Sequence, residues 1–293
     1  MSWVILHVDT RRDQCDTLEE MLLSLGAVSV TLTDNADQPL LEPGVGETPL
    51  WDAVRLSAMF NADTNSKAII QLLEQQFTDT AGSWRAEILE DKDWVRSWMD
   101  SYQPLQMGQR LWICPGWLEP PAADAVNLML DPGLAFGTGT HPTTALCLNW
   151  LDAQHLAAKS MIDYGCGSGI LAIAALMLGA RHATGIDNDP QAILASRQNA
   201  ERNQLSDAQL TLLLPENASD LEAADVVVAN ILAGPLADLA GRITRLVKPG
   251  GSLCLSGILE AQAASVMAAY PLFTFEPAAV DDGWVRLVAR KGQ

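Results

Sequence analysis

The chain has 293 residues, 48% of them hydrophobic, and its 18 basic and 36 acidic residues give a net charge of −18. This composition is typical of a packed globular protein that is long enough for two domains of ordinary size. No apolar run reaches the ~18 residues of a membrane-spanning helix, and no cluster of lysine and arginine offers a surface for nucleic-acid phosphates.

The first ninety residues alternate between strand and helix signals. Strands are predicted at residues 4–8, 28–33, 54–60 and 84–89, with helices at 18–25 and 67–77. A loop rich in proline and glycine separates the second strand from the third. The order β-α-β-β-α-β predicts a small α+β, ferredoxin-like N-terminal domain over residues 1–89.

A charged segment follows this domain. Residues 90–103 predict a helix that Pro104 ends. Trp94 and Trp98 are four residues apart and therefore share one face of that helix. Such a pair is more typical of packing between domains than of stacking on nucleobases. We predict a linker helix over residues 90–104 and a second domain over residues 105–293.

From residue 160 the chain alternates regularly between strands and helices. Strands are predicted at residues 160–164, 182–187, 208–214, 224–230 and 251–257, and a closing pair at 273–280 and 284–289. This alternation predicts an α/β domain with a doubly wound, mostly parallel sheet. Such sheets bind ligands beyond the carboxyl ends of their strands. Gly165, Asp187 and Asn230 all come at strand ends on that edge, so we expect one site there.

Three alternating glycines, Gly165, Gly167 and Gly169, join the strand at 160–164 to an apolar helix pattern. Glycines at this junction let the backbone turn sharply and let a ligand approach the main chain. Asp187 ends the next strand, 22 positions after Gly165. That spacing suits a carboxylate that accepts hydrogen bonds from ribose hydroxyls. The segment therefore predicts a nucleoside-binding βαβ unit, with a glycine-rich turn that binds nothing as the alternative.

The residue after the glycine run separates two nucleoside cofactors. A dinucleotide fingerprint has its third glycine at position 170, which is Ile170 here. The tighter G-x-G-x-G run resembles the first motif of class I methyltransferases that use S-adenosylmethionine, a cofactor without a phosphate. That family has an acidic residue close to the methionine end of the cofactor, and Asp163 matches it.

A loop over residues 130–144 precedes the main sheet and could close over a ligand. Thr143 or Thr144 is predicted to cap the helix at 145–151 and to offer a hydroxyl. His141 is either a base or a residue that holds the loop together. We favour the second role, because a near-neutral pKa alone does not establish catalysis.

Asn230 ends a strand in the sequence Asn-Ile-Leu-Ala. Methyltransferases of amino groups usually carry Asn/Asp-Pro-Pro-aromatic there, a motif that receives a planar nitrogen. Here Ile231, Leu232 and Ala233 replace the prolines and the aromatic residue, which favours a tetrahedral, flexible amine as the acceptor. We predict that Asn230 orients this amine. The alternative is that Asn230 caps the helix that begins near Gly234.

The cysteines and the N-terminus indicate a cytoplasmic protein. The five cysteines are scattered, odd in number and without a C-x-x-C pair, which argues against a disulfide framework and structural zinc. Cys166 lies inside the glycine run, and we interpret it as a packing residue. The residues before the first apolar segment carry no basic group, so they are unlike a signal peptide. Because the sequence has no cluster of histidine, cysteine or acidic residues at metal-ligand spacing, we expect no bound metal.

Three segments together resemble the family of bacterial methyltransferases that act on large-subunit ribosomal protein eleven. They are residues 130–144, 163–171 and 227–233, and the linker sequence Glu-Asp-Lys-Asp-Trp matches too. The resemblance implies a class I methyltransferase sheet that ends in an antiparallel hairpin. It also implies that lysine side chains and an α-amine are methylated, and that residues 1 to about 55 recognise the ribosomal protein, with the whole domain over residues 1–89 as the wider alternative.

The same resemblance implies the residues that contact S-adenosylmethionine. They are Thr144, Gly165, Asp187 and Asn230, with Asp163, Gly167 and Phe136 as further candidates. The expected partner is a basic ribosomal protein, without direct nucleic-acid or membrane binding, and the enzyme is expected to be a monomer. Three alternatives stay open: a nicotinamide oxidoreductase, a nucleic-acid methyltransferase and a non-catalytic binder of S-adenosylmethionine.

Overall fold

The computed structural model describes residues 2–36, 38, 49–78, 83–89, 102–122, 124–131 and 141–293. The chain divides into two compact units, Met1–Ser101 and Tyr102–Gln293. Residues 90–101 of the predicted linker lie outside the described residues, and residues 102–104 are not helical. The roles of a recognition domain, a linker and a methyltransferase domain therefore stay predictions. None of the described helices is long and apolar enough to cross a membrane.

The first unit is an antiparallel sheet of four strands with two helices. These elements are β1 (Trp3–Arg11), α1 (Cys15–Ser24), β2 (Ser29–Asp34), β3 (Ala53–Asn61), α2 (Ser66–Gln76) and β4 (Arg85–Leu89). The strand order is β2-β3-β1-β4. Alternate residues of β1 and β3, such as Leu6 and Leu56, are fully buried and form one core with Leu18 of α1. The predicted ferredoxin-like arrangement is confirmed.

The second unit begins with a three-stranded sheet that the sequence analysis did not predict. Its strands are β5 (Leu105–Met107), β6 (Leu111–Cys114) and β7 (Val126–Met129). β6 pairs antiparallel with β5 and parallel with β7. Strands of three or four residues show too little alternation to be recognised from hydrophobic period. Leu111 and Leu128 are nevertheless fully buried and join the core of this unit.

The main sheet of the second unit has the order β10-β9-β8-β11-β12-β15-β13, with β14 paired to β15. Its strands are β8 (Ser160–Tyr164), β9 (His182–Ile186), β10 (Leu210–Leu213), β11 (Ala224–Asn230), β12 (Val247–Leu259), β13 (Phe273–Phe275), β14 (Ala279–Asp281) and β15 (Trp284–Lys291). The first five strands of this order are parallel, and β15 is antiparallel to β12. The predicted doubly wound, mostly parallel sheet is confirmed.

Helices cover both faces of this sheet. They are α3 (Pro142–Asp152), α4 (Ile170–Met177), α5 (Pro190–Arg202), α6 (Ala233–Asp238), α7 (Ala240–Leu246) and α8 (Ala263–Ala268). Adjacent residues of a strand face opposite layers. Val228 therefore belongs to the core that includes Ile173 of α4, and Val227 to the core that includes Ile243 of α7.

One predicted strand is wrong in detail, because residues 273–280 form two strands instead of one. Glu276 N still donates to Val288 O over 2.8 Å, but Pro277 has no N–H and cannot continue the ladder. The pairing with β15 resumes at Ala279. The proline thus divides β13 from β14.

Candidate functional site

Three parallel strands end side by side at one edge of the main sheet. β8 ends at Tyr164, β9 at Ile186 and β11 at Asn230, and β8 is paired to both neighbours. Gly165 N donates to Ile186 O over 2.7 Å, which fixes the first turn beyond β8. The structure therefore brings Gly165, Asp187 and Asn230 to a common edge, as the sequence predicted.

The glycine loop lies directly against the end of β11. Gly165 has a φ of +80°, in the left-handed region that L side chains rarely adopt. A Cβ added to Gly165 would also lie 2.3 Å from Cγ2 of Ile231. Glycine is thus needed at this position both for the turn and for the close approach to β11.

Asp187 is held in place by the main chain around it. Its Oδ2 accepts a hydrogen bond from Gly167 N over 2.8 Å, and its Oδ1 accepts one from Asp189 N over 3.0 Å. A carboxylate has about four lone-pair sites, so acceptor capacity is left for the hydroxyls of a ribose. The half-buried Asp187 side chain fits the predicted ribose-binding role.

Asp163 is a fully buried acid in the strand that leads into the glycine loop. Its Oδ2 accepts from Ala172 N over 3.1 Å, whereas its Oδ1 has no hydrogen-bond partner among the residues that the structure describes. Burial, with a smaller contribution from the negative charge of Asp187, raises the pKa of Asp163 to about 7. An unpaired buried carboxylate oxygen at this place fits a ligand that carries positive charge, as S-adenosylmethionine does.

Asn230 is joined to the first turn of α3. Its Nδ2 donates to Oγ1 of Thr144 over 3.2 Å, and the Thr144 side chain is buried. The alternative interpretation of Asn230 as a helix cap is wrong, because the N-cap residue of α6 is Leu232, whose side chain makes no capping hydrogen bond. Two predicted site residues are therefore in direct contact, although they are far apart in sequence.

The start of α3 differs from the prediction. His141 is its N-cap, and Nδ1 of His141 bonds Oγ1 of Thr143 at 2.8 Å and accepts from Thr143 N at 3.4 Å. Pro142 stands at the first helical position, where its fixed φ favours a helix start. Neither Thr143 nor Thr144 caps the helix, so that prediction is wrong. The ring of His141 packs edge-on against Trp284, with 5.0 Å between centroids, and these contacts hold the segment together.

Two side chains that the sequence analysis missed also hold α3. Ser256 Oγ donates to Thr143 O over 3.2 Å, and Arg286 Nη1 donates to Leu146 O over 2.9 Å. They come from β12 and β15, so three neighbouring strands, with Asn230 of β11, bind the first turns of this helix. No local pattern in the sequence marks these residues, because their partners are more than a hundred residues away.

Cys166 is a packing residue, as its environment shows. The side chain is buried, and its Sγ lies 3.6 Å from Oγ of Ser196. Burial raises the pKa of the Cys166 thiol well above its ordinary value, which removes the thiolate that a nucleophile needs. The five cysteines of the chain are all buried and free.

The loop before α3 stays untested as a lid. Phe136, the further candidate for cofactor contact, lies with residues 132–140 outside the described residues. The roles of Thr144, Gly165, Gly167, Asp163, Asp187 and Asn230 toward a ligand also stay predictions, although the structure places them together.

Comparisons with known proteins cover nearly the whole chain. The model of a family described as ribosomal protein L11 methyltransferase (PrmA) matches residues 2–292. The chain is 54% identical over 294 residues to the ribosomal protein L11 methyltransferase of Cellvibrio japonicus, with 100% of both chains covered. It is 53% identical over 292 residues to that of Pseudomonas putida W619, covering 99% of this chain and 100% of the relative.

A solved structure agrees with these sequence relatives. The chain is similar to the ribosomal protein L11 methylase from Lactobacillus delbrueckii subsp. bulgaricus, with a TM-score of 0.60 and 30% identity. The match covers 66% of this chain and 100% of that chain.

Proposed function

The chain belongs to the ribosomal protein L11 methyltransferase family, and we propose that it transfers a methyl group from S-adenosylmethionine to ribosomal protein L11. The proposed acceptors are amines, namely lysine side chains and the α-amino group. One observation carries the proposal: in a chain that matches this family along its length, the glycine loop, Asp187, Asp163 and Asn230 meet at one sheet edge.

The residues of this edge are suited to hold S-adenosylmethionine. When bound, this cofactor supplies an electrophilic methyl group on a positively charged sulfur. Asp187 would accept hydrogen bonds from the ribose, since two backbone N–H groups already fix its carboxylate. Asp163 would balance positive charge with its unpaired oxygen. The main chain at Gly165 and Gly167 would line the ligand, and Thr144, Asn230 and Phe136 complete the proposed contacts.

The acceptor amine must be neutral before it can attack. With a pKa of ~10.4, about a thousandth of a free lysine is neutral near pH 7.4, whereas roughly a quarter of an α-amine with a pKa of ~7.8 is neutral. Deprotonating the lysine therefore costs about 4 kcal/mol. A dry pocket next to a positive sulfur would lower the lysine pKa and reduce this cost.

Asn230 is the residue that we propose to orient the amine. Its carboxamide is fixed through Thr144 at the edge where the glycine loop begins. Positioning two reactants can supply several kcal/mol of the barrier reduction, and we propose that positioning provides most of the acceleration here. The contacts of His141 are those of a helix cap, and we assign it no role in proton transfer.

The recognition of the protein substrate is proposed for the first unit. Residues 1–89 would bind the ribosomal protein, and the linker would let this domain reposition over the active site. An excess of 36 acidic over 18 basic residues favours encounter with a basic partner rather than with nucleic acid. We propose a monomeric enzyme that meets its ribosomal substrate in the cytoplasm.

The proposal is tested by incubating the full chain with methyl-labelled S-adenosylmethionine and undermethylated ribosomal proteins. We expect label in protein L11, with mass spectrometry locating methyl groups on lysines and the α-amine. An Asp187→Ala variant serves as the control for transfer at this site. Label in ribosomal RNA instead of L11 would favour a nucleic-acid methyltransferase. Donor binding without any transfer would favour a non-catalytic binder.

A further inference from the structure

One face of α5 contacts the glycine loop from behind. Ser196 and Asn199 of this helix and Asn203 at its C-cap follow one another at spacings of three and four, which places them on the same side. Ser196 Oγ donates to Gly167 O over 2.9 Å, and Asn199 Nδ2 donates to Ser168 O over 2.9 Å. Two side chains of this helix thus bind two consecutive carbonyls of the loop.

These bonds act on a part of the loop that is already restrained from the other side. Gly167 N donates to Asp187, while Gly167 O accepts from Ser196. The peptide planes before and after Gly167 are therefore both fixed. The contact is also close, because Ser196 is fully buried and a Cβ on Gly169 would lie 2.8 Å from its Oγ.

The third side chain of this face joins α5 to the small sheet. Asn203 accepts from Met129 N and donates to Met129 O, both over 2.8 Å, so its carboxamide pairs with β7 as a strand would. Its Nδ2 also donates to Asn199 O over 2.8 Å. On the adjacent position, Arg202 pairs with Asp131 at 3.1 Å. Helix α5 is therefore anchored at β7 while it holds the glycine loop.

We propose that Ser196 and Asn199 are positioning residues for the methyl donor, and that Asn203 keeps their helix in register with β7. By holding the carbonyls of Gly167 and Ser168, they would keep the loop in its binding conformation before the ligand arrives. A loop that is ordered in advance binds more tightly, because the ordering cost is not incurred on binding. This inference rests on the proposed function, since the ligand is the donor named there.

Calorimetric titration of the full chain with S-adenosylhomocysteine, which binds without reacting, tests the proposal. Ser196→Ala and Asn199→Ala should each raise its Kd about fivefold, the loss expected for one hydrogen bond. With saturating S-adenosylmethionine, kcat should stay within about twofold of wild type. The matched control is Arg197→Ala on the same helix, whose exposed side chain pairs with Asp207. That variant should leave the Kd unchanged.

Asn199→Asp separates positioning from mere support of the fold. Its ionised carboxylate would face Ser168 O at pH 8 and repel it, so the Kd should rise further than in Asn199→Ala. An unperturbed aspartate has a pKa of ~3.9, so the Kd is followed from pH 8 down to about pH 4. Where the new acid is protonated it can donate the hydrogen bond again, and the Kd should return toward the wild-type value at that pH. Acid would not restore a Kd that had risen through loss of folding.

Two results would overturn the inference. Alanine variants that melt earlier but keep their Kd within about twofold of wild type would show that these side chains only support the fold. A ratio of the Asn199→Asp Kd to the wild-type Kd that stays constant over this pH range would argue the same way, and this variant decides the matter where an alanine variant does not fold. If wild type binds neither S-adenosylhomocysteine nor S-adenosylmethionine, the proposed function fails instead.

Discussion

Asp163 and Asp225 lie on neighbouring strands, at opposite ends of the main sheet, and have opposite environments. Asp163 is fully buried with one unpaired oxygen, and its pKa is raised to about 7. Asp225 accepts from the N–H and hydroxyl of Ser160, over 2.9 and 2.8 Å, and pairs with Lys248 at 2.9 Å. Burial alone would raise the pKa of Asp225, but the bonds from Ser160 and Lys248 outweigh it and lower the pKa to about 2.

The difference separates a carboxylate that stabilises the fold from one that is suited to a ligand. Oδ2 of Asp225 accepts from Ser160 and pairs with Lys248, so this carboxylate joins β8, β11 and β12. Asp163 retains an unmet hydrogen-bonding group, which is unfavourable in a buried place unless something else satisfies it. We therefore expect substitutions at the carboxyl end of the sheet to change ligand binding and turnover. Substitutions at the amino end should change stability alone.

The largest effect is expected at Asp187, on the carboxyl end. Asp187→Ala removes the acceptor of Gly167 N and the proposed partner of the ribose. Hydrogen bonds to a charged group contribute ~1.5–3 kcal/mol each, so affinity for S-adenosylhomocysteine should fall about a hundredfold or more. Calorimetry measures this loss. Asp207→Ala, which removes an exposed aspartate, is the control, and unchanged binding by Asp187→Ala would contradict the assignment of this edge.

The next effect is expected on turnover rather than on binding. Asn230→Ala should lower kcat about 30-fold, equivalent to ~2 kcal/mol of lost positioning. The Kd for S-adenosylhomocysteine should rise by no more than about fivefold, the loss expected for one hydrogen bond. Thr144→Val, which removes the acceptor of the Asn230 amide but keeps a similar shape, should cause a smaller fall in kcat. Full turnover by Asn230→Ala with normal donor binding would show that this residue does not orient the amine.

The carboxyl edge could be predicted from the sequence because its signals are local. The glycine run, Asp187 at the end of the next strand, and Asn230 at the end of a valine-rich strand each need only a short window. The topology of parallel strands then brings these windows together. The same reasoning correctly predicted the four strands and two helices of the first unit.

The residues that support this edge could not be predicted in the same way. Ser196 and Asn199 bind loop carbonyls about thirty residues before them, and Ser256 and Arg286 bind α3 across more than a hundred residues. A single polar residue in a buried strand or helix belongs to no repeating pattern in the sequence, so its hydrogen-bond partner cannot be predicted from sequence periodicity. The start of α3 was also predicted wrongly, for a local reason. A proline favours the first helical position, so the helix begins at Pro142 and its N-cap is His141, before both threonines.

A smaller effect is expected from the titration of Asp163, measured as stability. The pKa is about 7 in the folded chain against 3.8 for the unperturbed group, so only the folded state keeps the proton between these values. The contribution of Asp163 to stability therefore falls as the pH rises from about 4 to 7. Between pH 5.5 and 8, wild type should lose ~2 kcal/mol of unfolding free energy relative to Asp163→Asn.

Urea unfolding of the full chain measures this difference. The relevant transition is the one that S-adenosylhomocysteine shifts, because a ligand stabilises the unit that binds it. The ionisable groups that act on the pKa of Asp163 or are acted on by it are Asp187, Cys166 and Cys254. The pKa values of both thiols are raised above their ordinary value, so the thiols stay protonated between pH 5.5 and 8 in wild type and variant alike. If the unfolding free energies of the two proteins change with pH in parallel, Asp163 does not titrate in this range.

The smallest effect on stability is expected from substitution of Asp225. This prediction tests whether the amino end of the main sheet is independent of the carboxyl end. The pKa is lower in the folded chain than in the unfolded one, so Asp225 stabilises above about pH 4 and loses this contribution as the pH falls toward 2. Because about a third of the side chain is exposed, solvent screens the pair with Lys248. Asp225→Asn should therefore lower the unfolding free energy at pH 7 by only ~1 kcal/mol.

Asp225→Asn should also leave the Kd for S-adenosylhomocysteine and kcat as in wild type. Asp225 and Asp163 lie on strands that are directly paired, so β11 connects the amino end of the sheet to the strand that leads into the glycine loop. The side chains that hold this loop come instead from α5 and from Asp187. A variant that unfolds slightly earlier but binds normally would support this separation. A weakened Kd in Asp225→Asn would mean that the position of β11 itself controls the site.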